Sequence, residues 1–313
     1  SSVMTTLVTA NSKAPMTLHQ DNESSLYPPH DVPQQHMLKE LFTSSSTKKS
    51  VHDVVVGSSK NAKSVRRLDG ASTCTDPQWN QQGLDLDGDA AEDYFGWSVA
   101  LSADGTILIV GAPHNDGPTG STSDIGAVKV FAKNSSSPLG WVQLGETLYG
   151  DAANDRAGYS VAISANGDVI AFGAILNDAN GRVNSGLVKV FSRDTSTSLG
   201  WTQVGSNIVG EADSDWSGWS IALSGDGEVL AIGALYNDGN GSGSGHIRIY
   251  RQDDSSTTGW SRVGTDLDGN AAGDYAGFSV DLSSDGNIVA FGAGLKCLLK
   301  IHLNTQWGGS VSF

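Results

Sequence analysis

Cysteine is nearly absent: Cys74 and Cys297 are the only two in 313 residues. That excludes a disulfide framework, and their separation is not that of a metal-ligand pair. No run of about 18 apolar residues occurs, so nothing reads as a membrane-spanning helix. The first residues lack a basic stretch followed by an apolar one, so no secretion signal is visible, although processing ahead of Ser1 would remove one. Basic residues are scarce, with 19 Lys and Arg against 34 Asp and Glu. The scarcity is uneven: residues 1–75 hold 8 basic and 6 acidic side chains, and residues 76–313 hold 11 and 28. The acidic portion lacks the clustered Lys and Arg that phosphate backbones require, which excludes nucleic acid and leaves cations or neutral ligands. Outside the first 75 residues only His114, His246 and His302 occur. They show no Ser/His/Asp spacing and no metal pair, so the expectation is a chain that is not an enzyme.

What is present divides into a tail and a repeat. Residues 1–75 are rich in Ser, Thr, Lys and Pro, too polar to offset chain entropy, and the expectation there is disorder. Within them VPQQHMLKELF places Met37, Leu38, Leu41 and Phe42 at helical spacing, enough for a transient turn or two. Sequons at Asn22, Asn134 and Asn240 are compatible with secretion and glycosylation. Thirty-nine glycines and short Val/Ile/Leu runs favour many strands and tight turns.

From Trp79 the chain repeats itself. GWSVALSADGTILIVGA from Gly96 returns as GYSVAISANGDVIAFGA from Gly158, GWSIALSGDGEVLAIGA from Gly218 and GFSVDLSSDGNIVAFGA from Gly277. Trp79, Trp141, Trp201 and Trp260 keep step at spacings of 62, 60 and 59. Each unit reads as four strands. The first alternates apolar and small residues, as Val99 and Leu101 do, and the second, Thr106 to Ala112, is apolar almost throughout and expected to be buried on both faces. Asp104-Gly105 and its equivalents join them as a hairpin whose two central residues take positive φ. The third strand, GAVKVF and its relatives, turns one charged residue outward, and the tryptophan opens the fourth. A sheet of this size cannot bury both faces alone, so neighbours must stack on it. The fold class is all-β, a propeller of four-stranded antiparallel blades.

The blocks resemble FG-GAP repeats, the blades of integrin α-subunit propellers. Phe95-Gly96 and Gly111-Ala112-Pro113 match both halves literally, and later copies keep Gly-aromatic-Ser and Gly-Ala. The resemblance covers residues 79–294, with residues 76–313 as the repeat domain, and implies an extracellular or cell-surface binding or adhesion module acting through rim loops. The alternatives are a carbohydrate-binding lectin and the non-catalytic propeller portion of a larger secreted hydrolase. The resemblance implies seven blades, about 420 residues at this period; four copies make either a four-bladed ring or an arc, and the last diverges after Gly294. Leu298 to Leu303 reads as its third strand, closed by Trp79 or by Thr305 to Gly308. The family's calcium loop does not carry over, because a turn such as Asp104-Gly105 cannot wrap an ion that wants six to eight oxygens.

Three residue sets are candidates for binding. Asp85, Asp87, Asp89 and Asp93, with Glu92, stand ahead of the first Phe-Gly and offer alternate carboxylates for calcium, an ion the fold does not require. The competing reading gives Asp93, Asp155, Asp215 and Asp274 hydrogen bonds from turn amides. Asn115-Asp116, Asn177-Asp178 and Asn237-Asp238 follow each Gly-Ala and put polar groups on one rim, suited to a protein or glycan ligand or to turn geometry. Trp97, Tyr159, Trp219 and Phe278 are expected between blades, as core. Cys74 and Cys297 are expected to stay unbonded within the chain, since about six residues at roughly 3.3 Å each separate their strand positions.

Overall fold

The computed structural model describes residues 80–294 and 298–303. All lie in the second of two compact units, residues 67–313. The expectations for the tail, for both cysteines, and for Trp79 and Thr305 to Gly308 as closing strands fall outside the described residues.

The described chain forms four antiparallel sheets in sequence order, each a blade. The first holds β1 (Ser98–Leu101), β2 (Ile107–Ala112), β3 (Ala127–Lys133), β4 (Trp141–Gln143) and β5 (Leu148–Tyr149). The second holds β6 (Ala157–Ile163), β7 (Val169–Ala174), β8 (Leu187–Arg193), β9 (Trp201–Gln203) and β10 (Ile208–Val209). β11 (Ser217–Leu223), β12 (Val229–Ala234), β13 (His246–Gln252) and β14 (Trp260–Asp268) make the third. β15 (Ala276–Leu282), β16 (Ile288–Ala293) and β17 (Leu298–Leu303) make the fourth, so the third strand foreseen after Gly294 is present. The fourth strand of a blade is one rod only in the third copy; in the first two it breaks, and both pieces pair with the same third strand.

Two strand-level expectations need correction. Only the glycine of each hairpin turn takes positive φ, 67° at Gly105 and 79° at Gly227. The loop holds four residues, closed by the Ser102 amide on the Ile107 carbonyl at 2.9 Å, and the Asp104 carboxylate accepts from the Thr106 amide and from the Ser102 and Thr106 hydroxyls. A carboxylate that holds the turn open replaces the second left-handed residue. The cation of the third strand is also not turned out to solvent. Lys129, Lys189 and Arg248 each reach a carboxylate in the acidic loop ahead of their own blade, Asp89, Asp151 and Glu211. Exposed acidic loops attract the nearest ammonium or guanidinium, and its stem covers apolar surface on the way.

The core lies between blades. Ile107, Ile109, Val128 and Val130 of the first face Ile170, Phe172, Phe191 and Trp201 of the second. The pattern repeats from Val188 and Val190 to Leu230, Ile232 and Trp260, and from Ala231 and Ile247 to Val289 and Phe291. Trp201 and Trp260 also donate from Nε1 to the preceding blade, to the Leu144 and Val204 carbonyls at 3.1 and 3.0 Å. Trp97, Tyr159, Trp219 and Phe278 form a continuous aromatic series with centroid spacings of 5.3, 4.9 and 6.1 Å, the core position expected of them. Among the described residues, packing joins first to second, second to third and third to fourth blade, and no comparable packing joins fourth to first.

Candidate functional site

Strand direction brings two loop series to the same end of each of the first three blades: the loop ahead of the first strand and the loop after the second. The first series ends in a buried Asp93, Asp155, Asp215 or Asp274. Asp155 Oδ2 accepts from the Asp151 and Ala152 amides at 2.8 and 2.9 Å, Asp274 repeats this with Asn270 and Ala271, and Asp93 accepts from Ala90. The second series supplies Asn115, Asn177 and Asn237, whose buried amides donate to Asp93, Asp155 and Asp215 at 2.9, 2.8 and 3.2 Å. Two series separate in the sequence thus become one buried Asp–Asn pair in each of the first three blades. Burial pushes the Asp215 carboxyl up, against the pull of the Ala212 amide and the Asn237 side chain.

The asparagines of the candidate rim therefore face inward. Asp116, Asp178 and Asp238 are its exposed half, and each fixes its loop by accepting an amide, from Asp124, Asn184 and Gly243 at 3.0, 2.8 and 2.7 Å. The acidic loop before the first blade is dispersed in the same way. Asp85 accepts from the Gln81 side chain, Asp89 from the Lys129 ammonium, and Asp93 points into the blade, while Asp87 and Glu92 stay exposed. These oxygens do not gather as a cage.

Two features of the rim escaped the sequence reading. The residue after each repeat aspartate lies in the left-handed region: Tyr94, Arg156, Trp216 and Tyr275, with φ of 53°, 57°, 54° and 54°. Bulky side chains seldom adopt it, and three of these four are aromatic. Two of them build a rim cluster around Tyr236, which Trp216 meets edge-on at 4.6 Å and Tyr275 at 5.4 Å. A position recurring directly after the aspartate was the available signal. The second feature is a cleft of about 700 Å³ on the second blade, lined by Asp151, Asp178, Asn180, Ser206, Asn207 and Thr258. It runs from the rim loops along the broken outer strand, a break that the sequence does not mark.

The third blade carries the densest charge cluster. Glu211, His246 and Asp266 offer metal-capable atoms within 4.8 Å of one another. Arg248 already stands between the carboxylates, with Nε on Asp266 at 2.7 Å and Nη2 on both Glu211 and Asp266. The guanidinium supplies the charge that a cation would bring. It holds Glu211 and Asp266 below the usual carboxylate range, overcoming the burial that pushes them up. His246 is buried with Nδ1 3.8 Å from Glu211 and 4.0 Å from Asp268, and burial, then the Arg248 charge, lowers its pKa to about 4. Ala127 and Leu187 stand at this position in the first two blades.

Repeated antiparallel sheets stacked face to face define a β-propeller protein, and the comparisons specify its repeat. The FG-GAP repeat model matches residues 79–131 and 210–250. Those two segments carry FG-GAP repeats. No curated protein matches it. Among solved structures it is similar to a Bacteroides uniformis protein named for 6-phosphogluconolactonase activity, with 16% identity and a TM-score of 0.42, over 66% of this chain and 53% of that one. The chain thus spans about half the length of that protein. The expectation that this chain is not an enzyme is withdrawn: the neighbour bears an enzyme's name, and the lack of a Ser/His/Asp spacing in the sequence does not exclude catalysis.

Proposed function

We propose that the chain is an extracellular or cell-surface binding module that holds its ligand with the rim loops of its blades. The supporting observation is the cleft on the second blade, where the exposed Asp178 and the carboxylate of Asp151 stand beside the amides of Asn180 and Asn207. Carboxylates at the mouth of a hydrogen-bonding cleft suit the Lys or Arg side chains of a protein segment, and the acidic charge of residues 76–313 steers such a segment inward. Binding of the full chain to a peptide series graded in charge tests this. Lys- and Arg-rich members are expected to bind, and Asp178→Asn to weaken them about tenfold, which corresponds to about 1.4 kcal/mol. Equal binding of neutral and basic peptides sinks the reading. A glycan ligand is the second reading, supported by Tyr94, which is exposed at the rim in a left-handed backbone. A glycan array with wild type and Tyr94→Ala separates the two.

A further inference from the structure

Every contact between successive blades joins two unlike faces, a back face on the earlier blade and a front face on the later one. Three sets of contacts recur. Ser98, Ser160 and Ser220 on the back donate from Oγ to the carbonyls of Gly158, Gly218 and Gly277 on the next front, at 2.7, 2.6 and 2.7 Å. A series of amides follows at the hairpin turns, Ala103 to the Ala165 carbonyl, Ala165 to Gly225 and Gly225 to Ser284, at 2.9, 2.9 and 2.8 Å. Glycine meets glycine: a Cβ on Gly111, Gly173 or Gly233 would fall 2.0, 2.2 or 2.4 Å from the carbonyl oxygen of Gly158, Gly218 or Gly277.

Among the described residues, the fourth blade keeps the back face without a neighbouring blade to receive it. Gly292 stands where only a following blade would forbid a side chain, and its nearest atom is the hydroxyl of Ser279 in its own blade. Ile288, Leu299 and Ile301 are 38%, 67% and 63% exposed, whereas Ile107, Val128 and Val130 at the same places in the first blade are 8%, 0% and 1%. The first blade keeps the front face in the same condition. Gly96 has nothing within 4 Å of a Cβ position, and Val99 and Leu101 are 51% and 56% exposed, although Ile221, at the place of Val99, is 8%. The outer part of this front is covered, with Phe95 edge-on to Phe131 at 6.2 Å. The Ala103 carbonyl and the Ser284 amide are the two ends of the hairpin series.

We infer that these two faces bind each other between two copies of this chain, head to tail, in the manner of the contacts inside it. The back face of one copy then meets the front face of the other, Ser279 donates to the Gly96 carbonyl, the Ser284 amide to Ala103, and Gly292 seats against Gly96. The occupant follows from complementarity: each open face matches the shape and bonding of a partner already seen three times. Neither the residues before Asn80 nor the ten after Leu303 contain another Gly-aromatic-Ser block. Unlike faces make a heterologous contact, which closes only if the rotation allows. Two copies supply eight blades, inside the four-to-eight range at which propellers close.

Sedimentation velocity of the full chain tests the inference, with the 32.5 kDa monomer as reference. At about 50 μM, ample for a contact of micromolar strength, a doubled mass is expected. Val99→Asp with Leu101→Asp disables the front face, and Leu299→Asp with Ile301→Asp the back face. Each double variant alone is expected at monomer mass. Their equimolar mixture is expected to regain a one-to-one complex, because one brings an intact back and the other an intact front. That recovery requires both variants to be folded. A monomeric wild type overturns the inference, as do variants that keep the doubled mass or a mixture that stays monomeric.

Discussion

At the scale of the residue, the buried Asp–Asn pair is the unit on which the rim loops of the first three blades are built. Asp155 accepts two amides and the Asn177 side chain from a site almost closed to water. Asp155→Ala leaves these donors unmet, so urea unfolding is expected to show a loss of about 1–3 kcal/mol. His246 carries a pH signature. Its folded pKa of about 4 lies below the ordinary histidine value of 6.5, so the unfolded chain binds the extra proton between those values. Its contribution is present above pH 6.5 and is lost as pH falls toward 4. The size is of order 3 kcal/mol at 1.36 kcal/mol per unit. Glu211 and Asp266, both held low beside it, lose their contribution further down, as pH falls through their folded pKa values. His246→Leu, the residue that Leu187 already places in the second blade, is expected to flatten the slope of stability between pH 6.5 and 4. An unchanged slope in urea titrations at several pH values would assign it elsewhere.

At the scale of the element, the second strand of each blade has glycine next to last, and in the first three blades another backbone passes there. Gly233→Ala drives a methyl group against the Gly277 carbonyl and is expected to cost about 1–3 kcal/mol as overpacking. Gly292→Ala meets only the Ser279 hydroxyl, which can rotate away, and is expected to leave the unfolding midpoint of the isolated chain nearly unchanged. The pair separates the glycine's packing role from its place in the strand, since both sit at equivalent register positions opposite a serine. A side-chain bond ties the outer strand back to the preceding blade, beside the Ser206 amide bond to the Thr258 carbonyl. Trp260→Phe keeps the ring's apolar bulk and removes the Nε1 bond to Val204, for an expected loss of about 1 kcal/mol.

At the scale of the whole molecule, stability resides between sheets, and one carboxylate in each of the first three acidic loops is paired with a cation of the chain itself. Calcium against chelator is accordingly expected to leave the thermal midpoint unchanged, because an ion stabilises only by binding the native state; a rise with calcium would place a site in the rim loops after all. The sequence by itself determined the all-β class, the period, the strand order and the aromatic core, because alternation and repetition are local properties of a chain that must stack its sheets to bury them. It also foresaw the amide bonds to Asp93, Asp155, Asp215 and Asp274, since those partners lie within a few residues. Tertiary structure alone decided the pairing of Asn115 with Asp93, the inward course of Lys189 and the left-handed rim aromatics, because each depends on a loop distant in sequence or on crowding around it. It alone decided, too, that the first front and the last back stand open, for a repeat gives every blade the same two faces and only assembly shows which of them meet.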